Sequence, residues 1–177
     1  MTKIRSLLTG AAAVALVVMG GRAMTAQDKY TLQAPNGLAF SDFRGFESWQ
    51  TISVSHAEET IEVILGNPAM IDAFLAGIPG NGKPFPDGAK MAKIHWNAKK
   101  SEDAPSPTTV PGTLHDIDFM EKDSKRFSDT HGWGYSEFDY DSASDTFKPL
   151  GDDAKCGAAC HELAAAKDYV FTVYGKR

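Results

Sequence analysis

The chain has 177 residues, 42% of them hydrophobic, which fits a single domain with a substantial core. Its formal net charge of −5 and its lack of a basic cluster argue against nucleic acid and against an anionic membrane surface as partners. A small neutral or cationic substrate, or a basic redox partner, is compatible with that charge.

Residues 1–26 have the composition of a secretory signal peptide. Lys3 and Arg5 precede an apolar run over residues 7–19, and small residues follow as far as Ala26. This order is typical of exported precursors. The alternative, a membrane anchor, needs roughly 20 apolar residues, and this run is shorter. We predict that residues 1–26 are removed and that residues 27–177 form one periplasmic domain. Its charge would be −8, because three basic residues and no acidic residue are lost.

Alternating or β-branched runs predict six strands in the rest of the chain. Asn67 and Pro68 predict a helix start, because Asn is a good N-cap and Pro suits the first helical turn. A second helix is predicted from composition over residues 158–167, and turn-forming residues predict loops at 77–88 and 101–113. The connections are short, so the predicted fold class is α+β and β-dominated, an antiparallel β-sheet with a few short helices. The predicted strands are residues 49–55, 60–65, 90–96, 114–121, 132–140 and 168–174.

The two cysteines of the chain lie four positions apart, and a histidine follows the second: Cys156, Cys160 and His161. Two thiols with an adjacent imidazole are typical of c-type haem attachment, in which the thiols join the porphyrin and the histidine ligates the iron. The usual spacing has two intervening residues, and here there are three. One alternative is a disulfide with His161 merely nearby. A zinc site is a poorer interpretation, because it needs four ligands and only His161 stands beside the thiols.

Four further blocks, and one lysine between them, extend the motif in a fixed order. They are residues 83–88 (KPFPDG), Lys93, residues 120–127 (MEKDSKRF), residues 132–135 (GWGY) and residues 167–175 (KDYVFTVYG). Together with the cysteine motif they resemble the cytochrome P-460 family, whose relatives include the β-sheet cytochromes c′. The resemblance covers most of the chain after Asp42.

The resemblance implies one haem c per chain, packed on the antiparallel sheet and attached through Cys156 and Cys160. It implies that the haem-binding helix lies near the C-terminus, that His161 is the iron ligand, and that the opposite side of the iron is open. In cytochromes P-460 a lysine is also joined to the porphyrin. Lys93 holds the matching position here, with Lys90 as second choice. The alternative for Lys93 is an ordinary solvated strand lysine.

Two aspartates are candidate proton acceptors, since oxidation of hydroxylamine releases protons. Asp116 and Asp118 lie on one side of a predicted strand, opposite Ile117 and Phe119. The competing interpretation, which we favour at this stage, is that this is the polar outer side of the sheet. The sequence also leaves open whether one of the other histidines supplies a sixth ligand to the iron. These are His56, His95, His115 and His131.

Three functions remain open from the sequence. The first, which we favour, is an oxidoreductase that oxidises hydroxylamine or a related small nitrogen species and passes electrons to a periplasmic redox partner. The second is a cytochrome c′-like protein that binds nitric oxide without turnover. The third is an electron carrier whose iron has no open position. The sequence leaves the oligomeric state open, a homodimer included.

Overall fold

The computed structural model describes residues 26–35, 37–151 and 153–177. The predicted signal peptide, residues 1–26, lies outside this part of the chain except for Ala26. Within the described ranges, no helix combines the length and the apolar composition needed to cross a bilayer.

The fold is built on a six-stranded antiparallel sheet in which each strand pairs with the next one along the chain. This confirms the predicted β-dominated, antiparallel fold class. The prediction missed the last strand, which has only four residues and is too short to show alternation. The strands are β1 (Gln50–Ala57), β2 (Thr60–Gly66), β3 (Lys90–Lys100), β4 (Thr109–Lys122), β5 (Trp133–Asp141) and β6 (Thr146–Pro149).

Two α-helices flank the sheet: α1 (Pro68–Leu75) and α2 (Asp153–His161). Asn67 caps α1 as predicted, since its side chain accepts hydrogen bonds from the backbone N–H groups of Met70 and Lys90, both at 3.0 Å. A 3₁₀ helix, Glu162–Lys167, continues directly from α2, so the predicted helix at 158–167 is the second half of a longer helical region. Other 3₁₀ helices are Lys29–Thr31, Phe40–Phe43, Phe46–Ser48 and Ser128–Thr130.

The two faces of the sheet pack against different parts of the chain. On one face, Phe119 stacks on Phe43 with ring centroids 4.1 Å apart, and Phe40 and Phe138 complete the same aromatic core. Successive strand residues point to opposite faces, so Met120 belongs to the second face. There it joins a separate core that includes residues of α1 and Val170 from the C-terminal segment.

The predicted strand at residues 168–174 is wrong, because residues 170–174 have no regular secondary structure and do not join the sheet. It lies beside β1 through side-chain contacts, such as the 2.8 Å hydrogen bond between the Thr172 and Ser53 hydroxyls. Val170 is buried, whereas Phe171 and Val173 are exposed. The alternating pattern therefore records burial of every second side chain and not a ladder of backbone hydrogen bonds.

Candidate functional site

A cavity of about 560 Å³ lies between the second face of the sheet, helix α2 and the C-terminal segment. This volume falls in the range of about 300–1,000 Å³ that is usual for small-molecule and cofactor sites. Most of its lining is apolar, with a polar end formed by side chains of β3, β4 and β5. The lining includes Ile64, Met91, Lys93, Asp118, Met120, Tyr135, Glu137, Cys156, Cys160, His161, Val170, Phe171 and Thr172.

Helix α2 brings both cysteines to this cavity. Cys156 and Cys160 are four residues apart, which is about one helical turn, so they share a face of the helix, and both line the cavity. Both thiols are free, so the disulfide is not formed in this structure. The three-residue gap thus suits a helix that presents both sulfurs to one ligand.

Gly157 allows α2 to pack closely on the sheet. A Cβ atom at this position would lie 2.7 Å from both Cβ and Cγ of Tyr135 on β5. Such a contact is well inside van der Waals distance, so only glycine fits without movement of the helix. This contact therefore determines how closely Cys156 and Cys160 approach the sheet.

His161, the last residue of α2, has one ring nitrogen engaged and the other free for a ligand. Its Nδ1 donates a hydrogen bond to the backbone carbonyl oxygen of Tyr169 at 2.6 Å, and a carbonyl can only accept. Burial lowers the pKa of His161; the hydrogen bond to Tyr169 opposes this shift, and the charge of Lys93 adds to it. A neutral imidazole with Nδ1 protonated carries its lone pair on Nε2, which is the form that ligates a metal.

Lys93 lines the cavity from β3, and its Nζ forms a 3.0 Å ion pair with Oε2 of Glu62 on β2. Lys90, the second choice from the sequence, is three residues earlier and therefore on the opposite face. There it binds Oε1 of Glu121 at 3.0 Å and lies over the ring of Phe43. Of these two lysines, only Lys93 faces the cavity.

Asp118 is the cross-strand partner of Lys93 and also lines the cavity. Its side chain keeps 37% of its surface exposed, at the wall of the cavity. Burial raises the pKa of Asp118 to about 7, with a further rise from the charges of Asp116 and Glu137 and an opposing effect from His95. A carboxyl group with such a pKa can take up and release a proton near neutral pH. Asp118 therefore lies on the face of the sheet that lines the cavity, and not on the polar outer face that the sequence favoured.

Asp116 lies two residues earlier on β4, opposite His95, and does not line the cavity. Its carboxylate is hydrogen-bonded by the rings of His95 and His115. Burial would raise the pKa of Asp116, but these two contacts outweigh burial and hold it below its usual value. Both aspartates thus lie beside the ring of His95, but only Asp118 also lines the cavity.

Of the five histidines, all of which lie in the described ranges, His161 is the one that lines the cavity. The site also contains groups that sequence reasoning missed. The carbonyl of Tyr169 is a backbone atom, so no side-chain pattern could mark it. Glu62 and Glu137 could have been found only from the strand register. It places Glu137 opposite Asp118, and it places Glu62 opposite His95, two residues along β3 from Lys93.

These residues fit a haem group: two free thiols one turn apart, an imidazole whose Nε2 is available, and an apolar cavity large enough for a cofactor. The family model of cytochrome P-460 matches residues 43–172. The chain belongs to the cytochrome P-460 family. The match contains all six strands, α2 and every residue discussed above for the cavity, and it makes this chain a haem protein. A search of curated proteins gives no match.

Proposed function

We propose that this cytochrome P-460 family member is an exported protein with one covalently attached haem c, and that it oxidises hydroxylamine or a related small nitrogen species. The observation that carries the proposal is the arrangement of Cys156, Cys160 and His161 on one cavity wall, with His161 Nδ1 engaged and Nε2 available. In this assignment the two thiols form thioethers with the haem, and His161 Nε2 is the axial ligand.

When bound, the haem supplies an iron that takes up electrons one at a time and a coordination position for a small ligand. The chain supplies the proton acceptor. Asp118 lines the same cavity, and a pKa of about 7 lets it accept protons that leave the substrate at neutral pH. The apolar lining excludes most water, which strengthens the interaction between a bound polar substrate and this carboxylate. A periplasmic redox partner takes up the electrons.

Lys93 has a second role in the proposal. Its position in the cavity wall, with Nζ held by Glu62, supports a bond between Nζ and a porphyrin carbon. That bond would replace one N–H and one C–H bond, with a peroxide as the oxidant that takes up the two electrons and two protons and is reduced to water. Such a bond would alter the electronic properties of the cofactor, which is the means by which a protein tunes haem chemistry. The ion pair with Glu62 keeps the amine at the sheet surface until haem is present.

The test is the intact mass and absorption spectrum of the mature protein, expressed with a c-haem maturation system. We expect a mass two hydrogens below that of a simple protein–haem adduct, and a strongly red-shifted Soret band in the reduced state. An ordinary c-type spectrum at the simple adduct mass would contradict the lysine bond and favour gas binding or electron transfer. A colourless protein with a disulfide between the cysteines would contradict haem attachment altogether.

A variant that lacks one cysteine tests the thioether assignment. In Cys160→Ala we expect less haem to be loaded, because one thioether is lost. The haem that remains would be held by Cys156 and Lys93 and would keep one unreacted vinyl group, which shifts its pyridine haemochrome band. Ala159→Ser changes the neighbouring exposed helix residue and should leave the haem attached. Equal haem retention in Cys160→Ala and the wild type would contradict the assignment.

A further inference from the structure

The turn that follows the haem-binding helix has an unusual backbone. Asp168 and Tyr169 are consecutive residues with φ values of +49° and +64°. The left-handed region is disfavoured for residues with a Cβ atom, so two in a row require support from the surrounding structure. This conformation turns the Tyr169 carbonyl back toward α2, where it accepts the 2.6 Å hydrogen bond from His161 Nδ1.

The support comes from the Asp168 side chain, which joins the turn to the sheet. Its Oδ1 accepts from Lys122 Nζ at 2.9 Å, and its Oδ2 accepts from the backbone N–H of Phe85 at 2.7 Å. The side chains of Lys122 and Asp168 are only 8% and 13% exposed. Lys122 Nζ also donates to the carbonyl of His131 at 3.1 Å. Neither residue of the ion pair lines the cavity.

The turn is also held from its ends. The backbone N–H of Asp168 donates to the Ala165 carbonyl at 3.1 Å, and that of Tyr169 donates to the Ala164 carbonyl at 2.9 Å. The ring of Tyr169 stacks on His131 with centroids 4.4 Å apart. The two backbone hydrogen bonds hold the turn to the preceding helix, and the stacking contact fixes the ring of Tyr169. The side chain of Asp168 anchors the turn to the end of β4.

We propose that Lys122 and Asp168 are positioning residues that fix the Tyr169 carbonyl on His161 Nδ1 and thereby set the electron donation of His161 Nε2 to the haem iron. The inference rests on the proposed function only in taking His161 as the axial ligand. A strong hydrogen bond from Nδ1 makes a ligating imidazole more basic. A more basic ligand stabilises the oxidised iron and lowers its reduction potential. The potential of the site would therefore depend on an ion pair that touches neither haem nor substrate.

The variants must separate positioning from folding. Asp168→Asn keeps an oxygen for the Phe85 N–H but removes the charge that holds Lys122, which leaves a buried ammonium unpaired. The double variant Lys122→Met with Asp168→Asn removes both charges, so it loses the ion pair without leaving a buried charge. Asp141→Asn is the matched control, because exposed Asp141 accepts hydrogen bonds from the backbone N–H of Ala143 and the hydroxyl of Ser144 at the end of β5 and does not line the cavity.

The readouts are the iron–imidazole stretching band in the resonance Raman spectrum of the reduced, ligand-free protein and the midpoint potential. We expect both Asp168 variants to move the band to lower wavenumber and the potential to more positive values, with Asp141→Asn like the wild type. The double variant carries the test if Asp168→Asn does not fold. A lowered melting temperature with unchanged band and potential would overturn the inference. An iron–imidazole band that is unchanged in His161→Gly would instead refute the proposed role of His161.

Discussion

The sharpest prediction concerns the pH dependence that Asp118 would confer on the proposed oxidation of hydroxylamine. The raised pKa of about 7 means that Asp118 is protonated below that pH and available as a base above it. With that pKa, about 1% of the carboxyl groups are ionised at pH 5 and about 90% at pH 8, so the rate should rise roughly 90-fold over this interval. An aspartate with its ordinary pKa of about 3.9 would be almost fully ionised throughout and would give a nearly flat profile.

The assay is the steady-state rate of hydroxylamine oxidation from pH 5 to pH 8, measured for the wild type and for Asp118→Asn. Hydroxylamine itself changes protonation state between pH 5 and pH 8. The rate of Asp118→Asn should vary with pH only through this change in the substrate. The difference between the two pH profiles therefore measures the effect of Asp118. At pH 8 the variant should lose about 10²-fold or more, the usual contribution of a general base. Asp139→Asn, on the same sheet face but outside the cavity, is the control. Parallel profiles for the wild type and Asp118→Asn would refute the reasoning.

Three further variants test other parts of the site and fold. Lys93→Ala should return the spectrum to that of an ordinary c-type haem, and an unchanged spectrum would make Lys93 a bystander. Gly157→Ala gains about 1 kcal/mol of helix propensity but meets Tyr135 at 2.7 Å, and overpacking of this kind typically costs about 1–3 kcal/mol. We therefore expect a lower free energy of unfolding in urea, and a more stable variant would contradict the contact. Asn67→Ala should cost about 1–2 kcal/mol through loss of the α1 cap, seen as a melting temperature roughly 2–8 °C lower; no change would mean that the cap is dispensable.

Local sequence predicted the elements that depend on side-chain periodicity. Alternation located β1 to β5, because one buried face imposes a period of two on each strand. It failed at residues 168–174, where Val170 is buried and Phe171 is exposed without any strand partner. Alternating burial is the physical cause of the pattern in both cases, and the pattern cannot reveal whether a backbone ladder accompanies it.

The cysteine–histidine motif could also be recognised from local sequence. Cys156, Cys160 and His161 lie within six residues, so their relative placement follows from one turn of helix. The sequence blocks around them were enough to indicate the family, which the match over residues 43–172 confirms. What these residues face depends on the packing of α2 against β5 and could not be read from the motif.

The sequence by itself thus determined the fold class and the family, and it named the candidate haem-binding groups, since each of these is encoded in neighbouring residues. Only the tertiary structure decided that Lys93 and Asp118 share the cavity while Lys90 and Asp116 do not, because strand register and sheet packing are set by residues far apart in the chain. It also decided the partner of His161, since the Tyr169 carbonyl is a backbone atom carried there by a turn that a buried ion pair supports.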